Sequence, residues 1–177
     1  MTMETPLVYL SRLDEDRFGV RTAKCGRLGS EGIPQVMAFC REHQVELLIA
    51  RCPTIWLPAA QELERQGFLL MDTLIYFLRD IHSGQIPRVR PGITVRRYRP
   101  GDEDGIRRIA GDCFHDYLGH YHADSRLDRE KCDEVYTDWA LRSCLSRDPA
   151  DGVLVACVRD DIAGFGTMHM NESRQGE

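Results

Sequence analysis

Apolar residues along the chain fall into runs whose period changes repeatedly, and each change predicts an element. Residues 8–13 and 20–25 read as short strands. After the Gly-punctuated loop 26–32, Val36, Met37, Phe39, Cys40 and His43 supply one helical face. They predict a helix over 34–43 with Pro34 in its first turn. Residues 45–52 (VELLIARC) form a nearly continuous apolar run, the pattern of a strand buried on both faces. Pro58 stands near the start of a further helix lined by Ala59, Ala60 and Leu63 and closed by Gly67. Residues 68–78 read as a long β-prone segment. The order β-β-α-β-α-β describes an α/β half-domain over residues 1–80.

Residues 80–92 (DIHSGQIPRVRPG) have two prolines, two glycines and no apolar periodicity, so 81–92 is assigned as a linker. The second unit, 93–177, opens with a strand at 93–98 and a turn at 99–102 whose last residue, Asp102, is placed to cap a helix. Ile106, Ile109, Ala110 and Cys113 then recur at helical spacing. Residues 114–124 form a polar loop rich in aromatics and histidine. Ser125 and Asp128 resemble a capping box before a helix that turns Cys132, Val135, Tyr136, Trp139, Ala140 and Ser143 to one side. The break at 148–152 leads into two β-rich runs, 153–158 and 162–170, around Arg159-Asp160-Asp161, which is how a hairpin reads. Its second strand has an edge in need of a partner. That edge predicts self-association, in the simplest case a homodimer.

Composition narrows the function. Hydrophobic residues make up 42% of the 177 positions and charged residues 29%, ordinary for a globular chain. The net charge is −5; residues 1–88 carry 10 basic and 11 acidic side chains, and 89–177 carry 13 and 17. Neither half is basic, which argues against nucleic-acid or anionic-membrane partners. No apolar run is long enough to span a bilayer and the N-terminus has no signal-peptide pattern, so a cytoplasmic location is expected. The seven cysteines form no Cys-x-x-Cys pair and sit mostly in apolar stripes, as small hydrophobes do.

Three features carry candidate chemistry. Gly26, Gly29 and Gly32 lie between a strand and a helix, but their spacing matches no phosphate-binding fingerprint, and Glu31 opposes an anion; a flexible turn is the plainer reading. His115, His120 and His122 with Asp116 and Asp124 form the densest polar cluster. On an extended loop His120 and His122 point the same way, which makes a metal site thinkable, yet no second cluster completes a ligand set, and no metal is assigned. His169 stands on the last strand and Tyr136 and Trp139 on an apolar stripe, where core packing is the expectation. Arg96, Arg97 and Arg99 read as a solvated strand face.

The stretch 93–110 (ITVRRYRPGDEDGIRRIA), the hairpin ending Ile162-Ala163-Gly164-Phe165-Gly166, and 114–143 (FHDYLGHYHADSRLDREKCDEVYTDWALRS) together resemble a GNAT acyltransferase domain. They look like the members that act on amino-sugar nucleotides, similar to the TDP-fucosamine acetyltransferases, in which an α/β half also precedes the acetyltransferase domain. The resemblance implies a GNAT-like mixed β-sheet flanked by helices. It implies transfer of an acetyl group from acetyl-CoA to a primary amine, a small-molecule acceptor. It places the 114–124 loop on the acceptor side, where Asp116, Tyr117, His120, Tyr121 and His122 become the substrate-binding candidates: carboxylate and imidazoles for sugar hydroxyls, tyrosines for stacking, a histidine to take the ammonium proton. The family's Arg/Gln-x-x-Gly-x-Gly/Ala loop for CoA does not follow Met170, so the GNAT unit reads as truncated after its third strand, without cofactor-binding residues and inactive as it stands. Two alternatives remain open: a noncatalytic binding or dimerisation module derived from that fold, and a small metal-dependent enzyme built on the histidine loop.

Overall fold

In a computed structural model that describes residues 6–80, 90–145 and 151–169, the chain divides into two units, Met1–Met71 and Asp72–Glu177. The linker expected at 81–92 lies, for residues 81–89, outside the described residues. Both units are mixed α/β, and each holds a three-stranded sheet; six α-helices are formed among the described residues.

The first unit opens with β1 (Val8–Leu10), α1 (Arg12–Phe18) and β2 (Thr22–Arg27). A 3-10 turn at Ser30–Gly32 leads into α2 (Ile33–Glu42), followed by β3 (Leu47–Arg51) and α3 (Leu57–Arg65). β1 pairs antiparallel with β2, and β2 parallel with β3. Parallel neighbours need a crossover, and α2 supplies it. Val8, Ala23, Cys25, Leu28, Ile33, Val36 and Leu63 form the core. Leu28 is fully buried and its N–H bonds the Arg51 carbonyl at 3.0 Å, so the glycine-rich loop is pinned rather than a loose turn.

Three expectations need correction in this unit. The strand expected over 8–13 stops at Leu10 and the chain turns into α1, ended by Gly19 at φ 67°. Two contacts that apolar periodicity does not encode hold this turn: Ser11 Oγ–H donates to Asp14 Oδ2 at 2.5 Å, and the buried Asp14 pairs with Lys24 Nζ at 2.5 Å on β2. Residues 45–52 form β3, but its residues 47–50 are only half-buried. Residues 68–80 form no strand, despite their β-prone sequence. β-propensity reports fit to a pleated, partnered surface, and no sheet edge of the described residues takes this segment up.

The second unit runs β4 (Ile93–Arg97), α4 (Glu103–Phe114), α5 (His120–Ala123), α6 (Arg129–Leu145), β5 (Asp151–Val158) and β6 (Asp161–His169). The sheet is antiparallel throughout, in the order β4-β5-β6. Arg159 and Asp160 take φ of 51° and 72° at the hairpin turn, the mirror-image geometry that two-residue hairpins favour. Ile106 and Ala110 of α4, Ala140 and Cys144 of α6, and Val153, Val155 and Cys157 of β5 form the core on one face of this sheet.

Caps differ from expectation here. Asp102 stands before α4, but its carboxylate turns back to the Arg99 N–H at 2.8 Å and to the Arg96 guanidinium at 2.6 and 2.8 Å. Arg96 is thus an ion-paired side chain, not part of a solvated arginine face. α6 is capped by Asp128, whose Oδ1 accepts the Lys131 N–H at 3.0 Å, in place of the Ser125 box. Trp139 of α6 is 43% exposed and does not join the core, whereas Tyr136 is half-buried. Met170 and the side chain of His169 lie outside the described residues. Among the described residues, no helix is long and apolar enough to cross a membrane.

Candidate functional site

The histidine-rich segment does not stay an extended loop. After α4 the chain passes through Asp116, at φ 57°, and Gly119 into the single helical turn of α5. Gly119 is sterically required: a Cβ there would lie 2.5 Å from Tyr136 Oη and 2.6 Å from Tyr117 Cε1. On a helix, residues two apart face different ways. His120 and His122 accordingly reach different carboxylates, which corrects the expectation that they point together.

His120 Nδ1 lies 2.8 Å from Asp72 Oδ2, and the His120 backbone N–H donates to the same oxygen at 3.1 Å. Asp72, 48 residues earlier, therefore caps α5 and holds the ring of its first residue. His122 Nε2 lies 2.8 Å from Asp133 Oδ1 on α6, and the His122 side chain is 0% exposed. A carboxylate only accepts, so Nε2 carries a proton, and in the neutral ring Nδ1 is the nitrogen with the lone pair. That Nδ1 is buried and has no hydrogen-bond partner among the described residues.

Aromatic rings wall this imidazole. Tyr136 lies nearly parallel to it at 6.1 Å, Tyr117 edge-on at 6.2 Å, and Phe114 stacks on Tyr136 at 4.4 Å. Burial, reinforced by Tyr117 and Asp72, pushes the Tyr136 hydroxyl far above the usual phenol range, so it stays protonated. At the rim, His115 Nδ1 is 3.9 Å from Asp133 Oδ2 and His115 Nε2 is 3.5 Å from Asp116 Oδ2. Arg129 Nη2 reaches Asp116 Oδ1 at 3.4 Å.

Of the five expected substrate-binding residues, the fold brings Tyr117 and His122 together, with Asp116 at the rim. His120 pairs with Asp72 and not with Asp133, the carboxylate that holds His122. Tyr121 is 5% exposed, so its ring offers no open face for stacking. Asp72, Asp133 and Tyr136 belong to the cluster, and no local motif announces the two aspartates; only their contacts across the fold do.

Other chemistry is weaker. Burial pushes the Cys25 thiol up to about 11 and raises Cys40, Cys52, Cys132 and Cys144, the opposite of what a thiolate nucleophile needs. Among the described residues no group of three or more His, Cys, Asp or Glu side chains is arranged to hold a metal ion. No protein-family model, no characterised protein and no solved structure matches this chain.

Proposed function

We propose that the second unit forms the acceptor side of an N-acyltransferase of the GNAT type, binding a primary amine such as that of an amino-sugar nucleotide. The observation that carries this reading is the buried His122 imidazole, held at Nε2 by Asp133 and bare at Nδ1. An amine must lose a proton before it can attack a carbonyl. Nδ1 accepts that proton from the acceptor ammonium, the amine keeps its lone pair, and the resulting imidazolium is stabilised through Nε2–H by the Asp133 carboxylate. Tyr117 stands half-exposed and edge-on to the imidazole. The order strand, helices, antiparallel hairpin agrees with the resemblance.

No described residue is assigned to acetyl-CoA, the donor of that reaction class. Its pyrophosphate needs a free helix N-terminus or a loop of N–H groups. At α5 and α6 carboxylates, Asp72 and Asp128, take helix-start N–H groups, whereas at α4 Asp102 and Glu103 bond the Arg99 and Gly101 N–H groups ahead of the helix. In this reading the described residues supply acceptor binding and proton abstraction alone.

Titration with an amino-sugar nucleotide, followed by the nitrogen resonances of His122, tests the reading. The amine is expected to shift Nδ1 strongly and its N-acetylated counterpart not at all. His122→Ala and Asp133→Asn should weaken amine binding about tenfold or more. Equal binding by both variants, or no response at Nδ1, refutes it. The alternative, a noncatalytic binding module, draws on one feature: the exposed apolar segment that follows Asp72.

A further inference from the structure

The most exposed apolar stretch lies at residues 73–78 (TLIYFL). Phe77 is 93% and Leu78 100% exposed, and Leu74, Ile75 and Tyr76 are exposed with them. None belongs to a helix or strand. A contiguous apolar segment of this size marks an interaction surface. The same unit carries a matching vacancy in its sheet. Among the described residues β6 pairs with β5 alone; at its start Arg108 Nη2 takes the Ile162 carbonyl at 2.9 Å, and no described strand lies beside the edge over 163–169. β6 contains no proline, lysine or arginine, the residues that block an edge. The free edge of β4 is protected by comparison: it is short, carries Arg96 and Arg97, and lies between Pro91 and Pro100. Among the described residues, no strand pairs with either the β-prone segment or the β6 edge.

We propose that two copies exchange them: residues 73–78 of each copy add as a strand to the β6 edge of the other, giving a two-fold dimer with two identical strand pairs. Side-chain complementarity supports the pairing. Gly164 and Gly166 leave β6 shallow, since a Cβ at either position would meet nothing within 4 Å. Aromatic side chains on a neighbouring strand cover such glycines, and because Tyr76 and Phe77 are consecutive, either register of the added strand sets one aromatic ring on the glycine face. The area is adequate as well. Four aromatic side chains across the dimer, at roughly 150–250 Å² each, together with six aliphatic ones, reach the roughly 1,200–2,000 Å² of a standard interface. This proposal is independent of the catalytic reading, because neither the segment 73–78 nor β6 contributes to the His122 cluster.

Sedimentation of the full chain over a concentration series, with far-UV circular dichroism as the check on folding, tests it. The wild type is expected to dimerise. Phe77→Lys in the segment and Gly166→Lys on β6 should each weaken the dimer at least a hundredfold with unchanged dichroism; Tyr76→Lys serves if Phe77→Lys does not fold. Mixing the two monomeric variants should restore a heterodimer, because the intact segment of one meets the intact edge of the other. A wild type that stays monomeric overturns the proposal, and amide protection of 73–78 in that monomer would show that the segment finds a strand within its own chain. Failure of the mixture to associate also overturns it, in favour of segment pairing with segment. So does a Gly166→Lys variant that still dimerises.

Discussion

Asp102 and Glu103 show how single residues tie the second unit together. The Arg96 guanidinium, helped by the Arg99 N–H, holds the Asp102 carboxyl below its usual range. The Tyr98 hydroxyl does the same for Glu103, and that bond in turn raises the Tyr98 phenol to about 12. Both carboxyls have folded values below their unfolded ones. Their stabilisation is therefore complete above the ordinary carboxylate range near pH 4 and is lost as pH falls through the folded values. Acid titration followed by amide exchange in β4 and α4 should show this loss below about pH 4. Asp102→Asn should lower stability at neutral pH and flatten the acid dependence, with the two proteins converging at low pH. A variant as acid-sensitive as the wild type would remove Asp102 from the account. At this scale the sequence marks residue types but not pairings. His122 stands out in a histidine-rich stretch, whereas Asp133, the carboxylate that fixes its proton, is one of several acids on a helix.

At the level of elements, α5 is the informative case. Four residues cannot sustain a helix by their own propensity, because nucleation costs more than one turn returns. The turn exists because Asp72 takes its first N–H, because Gly119 admits Tyr136 and Tyr117 where a Cβ would collide, and because Tyr121 is buried beneath it. Asp72→Ala should cost about 1 kcal/mol, the usual worth of a cap. Amide exchange at His120–Ala123 should speed up while α6 keeps its protection; unchanged exchange would mean that Tyr121 burial alone holds the turn. Helices with strong apolar periodicity, α2, α3 and α4, were legible from the chain alone, whereas α6 was read from the residues before it and its scattered apolar positions, since its faces differ little in hydropathy. The hairpin was too, since its turn residues and flanking runs are local. α1 and α5 were not: α1 is too short for apolar periodicity to show and rests on Asp14 bonding both Ser11 and Lys24, and α5 depends on Asp72 far along the chain.

Across the whole molecule, each unit has its own core, one gathered around Leu28 and Val36, the other around Ile106 and Val155. Leu28 is an instructive test because it sits in a glycine-rich loop that reads as unstructured. Leu28→Ala should cost roughly 2–5 kcal/mol, a large share of what a unit of this size possesses. Exchange in β2 and β3 should rise accordingly. Leu118→Ala, at an exposed site, should change stability by less than about 0.5 kcal/mol. A silent Leu28→Ala would show that the loop is not part of the core.

The chain by itself determined the α/β class, most of the helices, the hairpin and the stretch in which site chemistry is concentrated. All of these rest on periodicity, caps and turns that act over a few residues. Only the tertiary structure decided the rest. It set His122 against Asp133 and buried its second nitrogen, gave His120 a separate carboxylate in Asp72, and withdrew Tyr121 from use. It also left residues 73–78 outside any sheet, although their sequence favours a strand. A strand and a proton-holding pair are both two-body objects, and their second partner lies far along the chain or on another molecule.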